Sequence, residues 1–180
     1  MSNRVQNPSF EAGLDSWEFS NVNVVDTNPF EGTASARMGP GVASIFQDIR
    51  IRGCDYKPSF LLSFAIQAPL SPEPGNLTVK VQWLDVNNLD IGIGLSMVIP
   101  SNTTGLQLIW LTYVDVTESA PTSAKKARIL FSKAEGTGPN DVLDIDRVVF
   151  TDLDVGKKKV MKCQGDCTDK ESNIVAASQE

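Results

Sequence analysis

Apolar and polar residues alternate along most of the chain, as far as about residue 153. In "LTVKVQW" (77–83) every second side chain is apolar, so that four of them, ending with Trp83, share one face. This period of two is typical of β-strands that bury one face. The predicted strands are 17–26, 34–38, 42–51, 59–67, 77–83, 89–99, 109–117, 126–132 and 142–151.

Segments rich in Gly and Pro separate these strands, among them "TNPFEG", "APLSPEPGN" and "EGTGPN". No segment carries a sustained apolar stripe with helical spacing. We therefore predict an all-β fold, a two-sheet antiparallel β-sandwich of the jelly-roll type, with a closed barrel as the alternative. The proline-rich segment 68–76 is expected to be an extended crossover between the sheets.

The pattern stops after residue 154. Residues 155–180 show no strand alternation and contain no aromatic residue. We predict one jelly-roll domain, 1–154, followed by a Cys-containing C-terminal tail, 155–180, that lies outside the core.

Composition excludes several classes of function. The formal net charge of −6 argues against nucleic acid as a partner, and no apolar run approaches the length that membrane insertion needs. The start, "MSNRVQNPSF", lacks the apolar segment of a standard signal peptide. The chain has no His, which removes Ser-His-Asp and Cys-His catalysis, so we predict that it is not an enzyme.

Two terminal motifs carry a resemblance. "NPSFEAGLDSW" (7–17) and "DVLDIDRVVF" (141–150) resemble the first and last strands of calcium-containing jelly-roll carbohydrate-binding modules. There, Asn-x-x-Phe-Glu followed by Gly-Leu-x-x-Trp opens the fold and Ile-Asp-Asp-Val closes it. "PFEGTASARM" and "PTSAKKARILFS" resemble two further elements of that family, and the match covers about residues 5–152.

The middle of the chain, "YKPSFLLSFAIQAP" and "VKVQWLDVNNLDIGIGLSMVIP", resembles the N-terminal domain that precedes collagen-like triple-helix repeats in surface proteins of spore-forming Firmicutes. That resemblance implies a place on the outer surface of a spore or cell. The sequence departs from the pattern, because the Cys-bearing tail stands where a Gly-x-y repeat would follow.

The first resemblance implies a structural calcium site. Because the first and last strands of a jelly roll can lie side by side, Glu11 and Asp146 are expected to approach each other. Ca²⁺ would separate the two charges, with carbonyl oxygens from the loop around Gly32 completing its shell. The alternative is a metal-free ion pair between Glu11 and Arg147, which replaces the family's second acid.

Sugar binding requires aromatic faces next to hydrogen-bonding groups. Trp83 shares a strand face with Leu77, Val79 and Val81 and is expected in the core. The candidate ligand-binding residues are Trp110, Tyr113, Gln82, Asp85 and Asn87.

Three cysteines remain. Cys163 and Cys167 lie in "KCQGDC" of the tail, and Cys54 lies in the predicted loop "RGCDYKP". Too few ligands are present for a zinc site within one chain. Either the three form intermolecular disulfides, with Cys54 of a neighbouring copy as acceptor, or they stay reduced.

These observations lead to a first hypothesis, a non-catalytic structural subunit of a spore- or cell-surface assembly. It would self-associate into an oligomer or fibre through its body and tail, and would reach the surface by mother-cell synthesis or another route without a signal peptide. The alternative location is the cytoplasm. The alternative functions are a carbohydrate-binding module with a glycan partner, and a phage particle protein.

Overall fold

The structure, a computed structural model, describes residues 2–51, 57–70, 74–104 and 109–153. A short 3-10 helix spans Ser101–Thr103. Within the described ranges no helix is long and apolar enough to cross a membrane. The strands are β1 (Glu18–Ser20), β2 (Val22–Val25), β3 (Ser35–Met38), β4 (Ala43–Arg50), β5 (Ser59–Gln67), β6 (Leu77–Leu84), β7 (Asp90–Ile99), β8 (Leu111–Val116), β9 (Lys126–Lys133) and β10 (Leu143–Leu153).

The strands form two five-stranded antiparallel sheets. The first sheet has the order β1-β4-β9-β6-β7, and the second has the order β2-β3-β10-β5-β8. This confirms the predicted two-sheet sandwich. The chain passes from β5 of the second sheet to β6 of the first, and the extended form predicted for 68–76 stays a prediction, because residues 71–73 lie outside the described ranges.

One predicted strand, 17–26, is in fact two strands. Asn21 has a left-handed backbone conformation with φ of 54°, which turns the chain between β1 and β2. β1 therefore pairs in the first sheet and β2 in the second.

The core lies between the inner faces of the two sheets. The rings of Phe60 and Phe150 stack with their centroids 4.6 Å apart, and Phe64 meets Phe131 edge-on at 5.1 Å. Trp83 is buried, as predicted. A side chain at Gly94 would collide with the indole ring of Trp83, so β7 can pack this closely only with glycine there.

The N-terminal segment runs beside the last strand. The Arg4 amide donates to the carbonyl of Phe150 (2.8 Å), and the Val148 amide donates to the carbonyl of Pro8 (2.9 Å). The beginning of the chain therefore lies against β10, as the jelly-roll interpretation expects. The later part of "NPSFEAGLDSW" is a series of turns that buries Phe10 and Trp17 rather than a strand.

Candidate functional site

A row of four polar side chains crosses the outer face of the first sheet. Strand register places Asp48 of β4 opposite Arg128 of β9, and Arg128 opposite Gln82 of β6. The Gln82 amide donates to Asp90 Oδ2 of β7 at 2.7 Å. We call Asp48, Arg128, Gln82 and Asp90 the polar row.

The polar row is centred on an ion pair. Arg128 donates through Nε to Asp48 Oδ1 (2.7 Å) and through Nη2 to Asp48 Oδ2 (3.0 Å). This hydrogen bonding raises the pKa of Arg128 further above its ordinary value, so the side chain remains a cation. A guanidinium carries five N–H donors, and the ion pair occupies two of them. The remaining donors can serve a ligand.

An aromatic ring supports this arginine. The Arg128 guanidinium lies 4.3 Å from the centroid of the Phe46 ring, within the range of a cation–π contact. Phe46 faces outward because Ile45 and Gln47, its neighbours along β4, face the core. Leu130 of β9 lies opposite Phe46 in the strand register. The polar row is thus bordered by an aromatic and an aliphatic side chain, all partly exposed.

A groove of about 440 Å³ lies beside the polar row where it meets β4. Asp48 lines it, together with Arg50 of the same strand and with Arg4 and Gln6 of the N-terminal segment. The Gln6 backbone is fixed there, because its amide and carbonyl both bond to the side chain of Gln47, at 2.9 Å each.

The five candidate ligand residues do not form one site. Gln82 belongs to the polar row. Asp85 and Asn87 lie in the turn after β6, where the Asp85 carboxylate accepts the backbone N–H of Asn87 at 2.7 Å. These three lie on the first sheet or its turn, whereas Tyr113 belongs to β8 of the second sheet and Trp110 directly precedes that strand.

Trp110 and Tyr113 have structural contacts at the edge of the second sheet. The Trp110 indole N–H donates to the carbonyl of Asn28 (2.9 Å), and its ring meets Phe30 edge-on. The Tyr113 hydroxyl donates to the carbonyl of Thr103 (2.6 Å), and its ring stacks on Phe64. The sequence interpretation was wrong to group them with Gln82, because apolar residues on both faces of 109–117 hide which sheet the segment joins.

Sequence reasoning missed Phe46, Asp48 and Arg128 as site residues. A signal for Phe46 was present in "ASIFQDIR" (43–50), where the alternation puts an aromatic residue on the polar face. The pairing of Asp48 with Arg128 depends on strand register, which a single sequence does not give.

The two acids proposed as calcium ligands bind the same loop. Asp146 Oδ2 accepts the backbone N–H groups of Phe30 (2.8 Å) and Glu31 (3.0 Å). Glu11 Oε1 accepts those of Thr33 (2.8 Å) and Ala34 (3.1 Å). We call Glu11, the loop 30–34 and Asp146 the clasp.

Gly32 has a steric role in the clasp. Its φ of 70° is in the left-handed region, and a Cβ built on it would overlap the Glu11 carboxylate. Glycine at this position therefore lets the Glu11 carboxylate reach the backbone of the loop.

The ion pair that the sequence offered as the alternative to calcium, Glu11 with Arg147, is not formed. Arg147 pairs with Glu31 (Nε to Oε2, 3.4 Å) and not with Glu11, and both side chains are more than half exposed. Its guanidinium lies 5.6 Å from the Phe30 ring centroid.

The charges of the clasp are arranged around hydrogen-bond donors. The Thr33 hydroxyl and amide lower the pKa of Glu11. Burial raises the pKa of Asp146 to about 6, although three backbone N–H groups bond to it.

N–H groups facing both carboxylates repel a cation, and the described residues contain no cluster of three or more Asp, Glu, Cys or His side chains. This donor set fits a hydrogen-bonded clasp better than a calcium cage, and calcium binding stays a prediction.

The candidate cross-linking residues Cys54, Cys163 and Cys167 lie outside the described residues. Their pairing stays a prediction, as does the extent of the tail.

No protein-family model matches the chain, and no curated protein matches it. Solved structures do. The enzymatically active domain of tailspike protein 4 from bacteriophage CBA120 matches with a TM-score of 0.66 and 19% identity, over 84% of this chain and 21% of that one. A cyclase from Fischerella sp. TAU matches with a TM-score of 0.67 and 15% identity, over 85% and 97% of the two chains.

Carbohydrate-binding modules match over nearly their whole length. TmCBM61, solved in complex with β-1,4-galactotriose, has a TM-score of 0.57 and 16% identity, over 85% of this chain and 100% of that one. Two family 22 modules match with TM-scores of 0.55. At these identities the likeness shows the fold alone. The chain therefore has the jelly-roll β-sandwich fold that carbohydrate-binding modules share with a tailspike domain and cyclases.

Proposed function

We propose that this protein binds a carbohydrate, without catalysis, on the outer face of its first sheet. The observation that carries the proposal is the Phe46–Arg128–Asp48 arrangement within the polar row. The fold supports it too, because the matching structures include modules that are named for carbohydrate binding and that span the same body.

The chemistry of the row suits a sugar. A pyranose ring offers apolar C–H faces and a rim of hydroxyl groups. Phe46 and Leu130 provide an apolar surface for the C–H faces. Arg128 supplies donors, and Asp48 and Asp90 supply acceptors, for the hydroxyls. Partly exposed groups of this kind lose little hydration when a polar ligand replaces the water.

The length of the row suits an oligosaccharide. It crosses four neighbouring strands, β4, β9, β6 and β7. With neighbouring strands about 4.8 Å apart, the row is roughly 14 Å long. A chain of a few sugar units would cover it, whereas a single unit would contact only part of it.

Binding without chemistry is the simpler proposal for this site. The chain has no His. Both acids of the row are already engaged, Asp48 by Arg128 and Asp90 by Gln82 and by the Gly92 amide at 2.9 Å.

The surface-assembly hypothesis has less support. None of the structures named above is a domain of a collagen-like surface protein, and the cysteines it depends on lie outside the described residues. The phage tailspike shares the fold, and the 19% identity carries no function across. A spore- or cell-surface location stays a prediction.

The test is binding to a panel of immobilised polysaccharides by the native protein and two variants. Arg128→Ala removes the central donor of the row, and we expect it to weaken the strongest binding by about tenfold, the value of a hydrogen bond to a charged group. Arg147→Ala removes an exposed arginine from the second sheet and is the matched control. Equal binding by both variants, or no binding to any polysaccharide, would count against the proposal.

A further inference from the structure

A second groove, of about 480 Å³, adjoins the first at the same end of the first sheet. Arg4 and Arg50 line both grooves, and Lys125 and Lys126 complete a set of four cations around the second. We call it the basic groove. Four of the eleven Lys and Arg residues before residue 155 therefore surround one depression of an acidic protein.

Strand pairing brings two of these cations together. Arg50 of β4 lies opposite Lys126 of β9 in the antiparallel register. Like charges directly opposite each other destabilise a sheet. Asp48 relieves this only in part, since its Oδ2 lies 3.9 Å from Lys126 Nζ while its carboxylate is shared with Arg128.

The remaining charges leave the groove positive. Arg4 pairs with Asp152 at 2.7 Å. Arg50 and Lys125 are exposed, and among the described residues neither has an ion-pair partner. The groove's own acid, Asp85, accepts the backbone amides of Asn87 (2.7 Å) and Leu89 (2.9 Å) through Oδ1, and this single carboxylate is outnumbered by the four cations.

The basic groove borders the end of the polar row that lies on β4 and β9. Asp48 and Arg50 are two residues apart on β4 and share its outer face, as do Arg128 and Lys126 on β9. A sugar unit bound over Asp48 and Arg128 could therefore place a substituent in a positively charged depression one residue pair further along the strands.

We propose that the basic groove binds an acidic substituent of the glycan, a carboxylate or a sulfate, so that the preferred ligand is an anionic polysaccharide. This inference rests on the proposed carbohydrate binding and specifies its ligand class. Arg50 and Lys125 supply charge-assisted hydrogen bonds to the substituent, and its negative charge relieves the repulsion between Arg50 and Lys126.

The experiment measures binding of the full chain to four polymers: polygalacturonate, its methyl ester, a sulfated galactan and the unsulfated galactan. Each ester or unsulfated polymer is the neutral counterpart of an acidic one, and the two pairs distinguish carboxylate from sulfate. The variants are Arg50→Gln and Lys125→Gln, with Arg147→Gln, on the second sheet, as the control with the same change in charge.

We expect an acidic polymer to bind more tightly than its neutral counterpart, with the difference shrinking as salt is raised. Each groove variant should weaken that binding by about tenfold, while Arg147→Gln leaves it unchanged. Equal losses in all three variants would indicate general charge attraction and overturn the inference. Binding of neutral polymers alone would overturn it and leave the proposed function standing, whereas binding of none of the four, together with none on the wider panel, would overturn both.

Discussion

The outer faces of the two sheets use their charged side chains in different ways. On the second sheet, Asp144 is fully buried, where Arg37 bonds to both of its oxygens (2.7 and 2.8 Å) and Gln67 adds a third bond (3.1 Å). On the first sheet, Asp48 and Arg128 make a similar two-bond pair, but their side chains are 21% and 30% exposed.

The difference lies in what covers each face. The segment after β2 folds over the second sheet and gives its backbone amides to Asp146. A buried carboxylate needs hydrogen-bond donors of this kind, because burying it without them would greatly destabilise the folded state. The pair on the first sheet is open to water, contributes little to stability and keeps donors available. The same pairing of residue types is therefore structural on one sheet and suited to binding on the other.

The largest expected effect comes from breaking the buried pair. Asp144→Ala leaves Arg37 with an uncompensated charge and Gln67 without its acceptor. We expect a loss of roughly 3–5 kcal/mol in the free energy of unfolding, measured by urea denaturation. Asp48→Ala removes the corresponding acid from the first sheet and should cost about 1 kcal/mol or less. Similar losses for the two variants would contradict the comparison.

The second-largest expected effect is a pH dependence of the folding stability that arises from Asp146. Its pKa is raised from 3.8 in the unfolded chain to about 6 in the folded protein. The folded state therefore takes up a proton more readily, and stability increases as the pH falls from about 6 towards 4. The difference between the two values corresponds to roughly 3 kcal/mol as an upper limit.

The measurement is the melting midpoint between pH 7 and pH 4.5, with a chelator present to remove any calcium. Glu11, whose pKa is lowered, loses its contribution only as the pH falls below about 4.5. The midpoint should therefore rise over this range, and Asp146→Asn should flatten the rise. A midpoint that falls from pH 7 to pH 4.5 would contradict the assignment.

The smallest expected effect concerns calcium. If hydrogen bonds alone satisfy the clasp, millimolar Ca²⁺ should leave the melting midpoint within error of its value in chelator. A bound ion would instead stabilise the folded protein by about 2.7 kcal/mol at a hundred times its dissociation constant. It would also hold Asp146 ionised and remove the rise in stability at low pH. A calcium-dependent midpoint that disappears in Glu11→Gln would restore the calcium site predicted from the sequence.

Much of the fold could be read from the alternation of residues, because burial of one strand face is a local property. "SFLLSFAIQ" coincides with β5, and "KARILFS" ends one residue short of β9. The turn at Asn21 could not be predicted from the sequence, because the alternation continues through it. Its left-handed backbone conformation takes the chain from the first sheet to the second.

Less of the candidate sites than of the strands could be predicted from the sequence. The outward position of Gln82 follows from the alternation, whereas its hydrogen bond to Asp90 depends on cross-strand distance. The sequence singled out Glu11 and Asp146, and both carboxylates accept backbone amides of the loop 30–34. Whether amides or carbonyls of that loop face them is set by backbone conformation, which the residue types do not specify.

The most direct test is an NMR titration of the ¹⁵N-labelled chain with a short oligosaccharide of the polysaccharide that binds best in the panel. If the outer face of the first sheet is the binding face, the largest shifts should fall on β4, β9 and β6, with Phe46, Asp48, Gln82 and Arg128 among them. Shifts centred on Trp110 and β8, with the first sheet unchanged, would contradict the account.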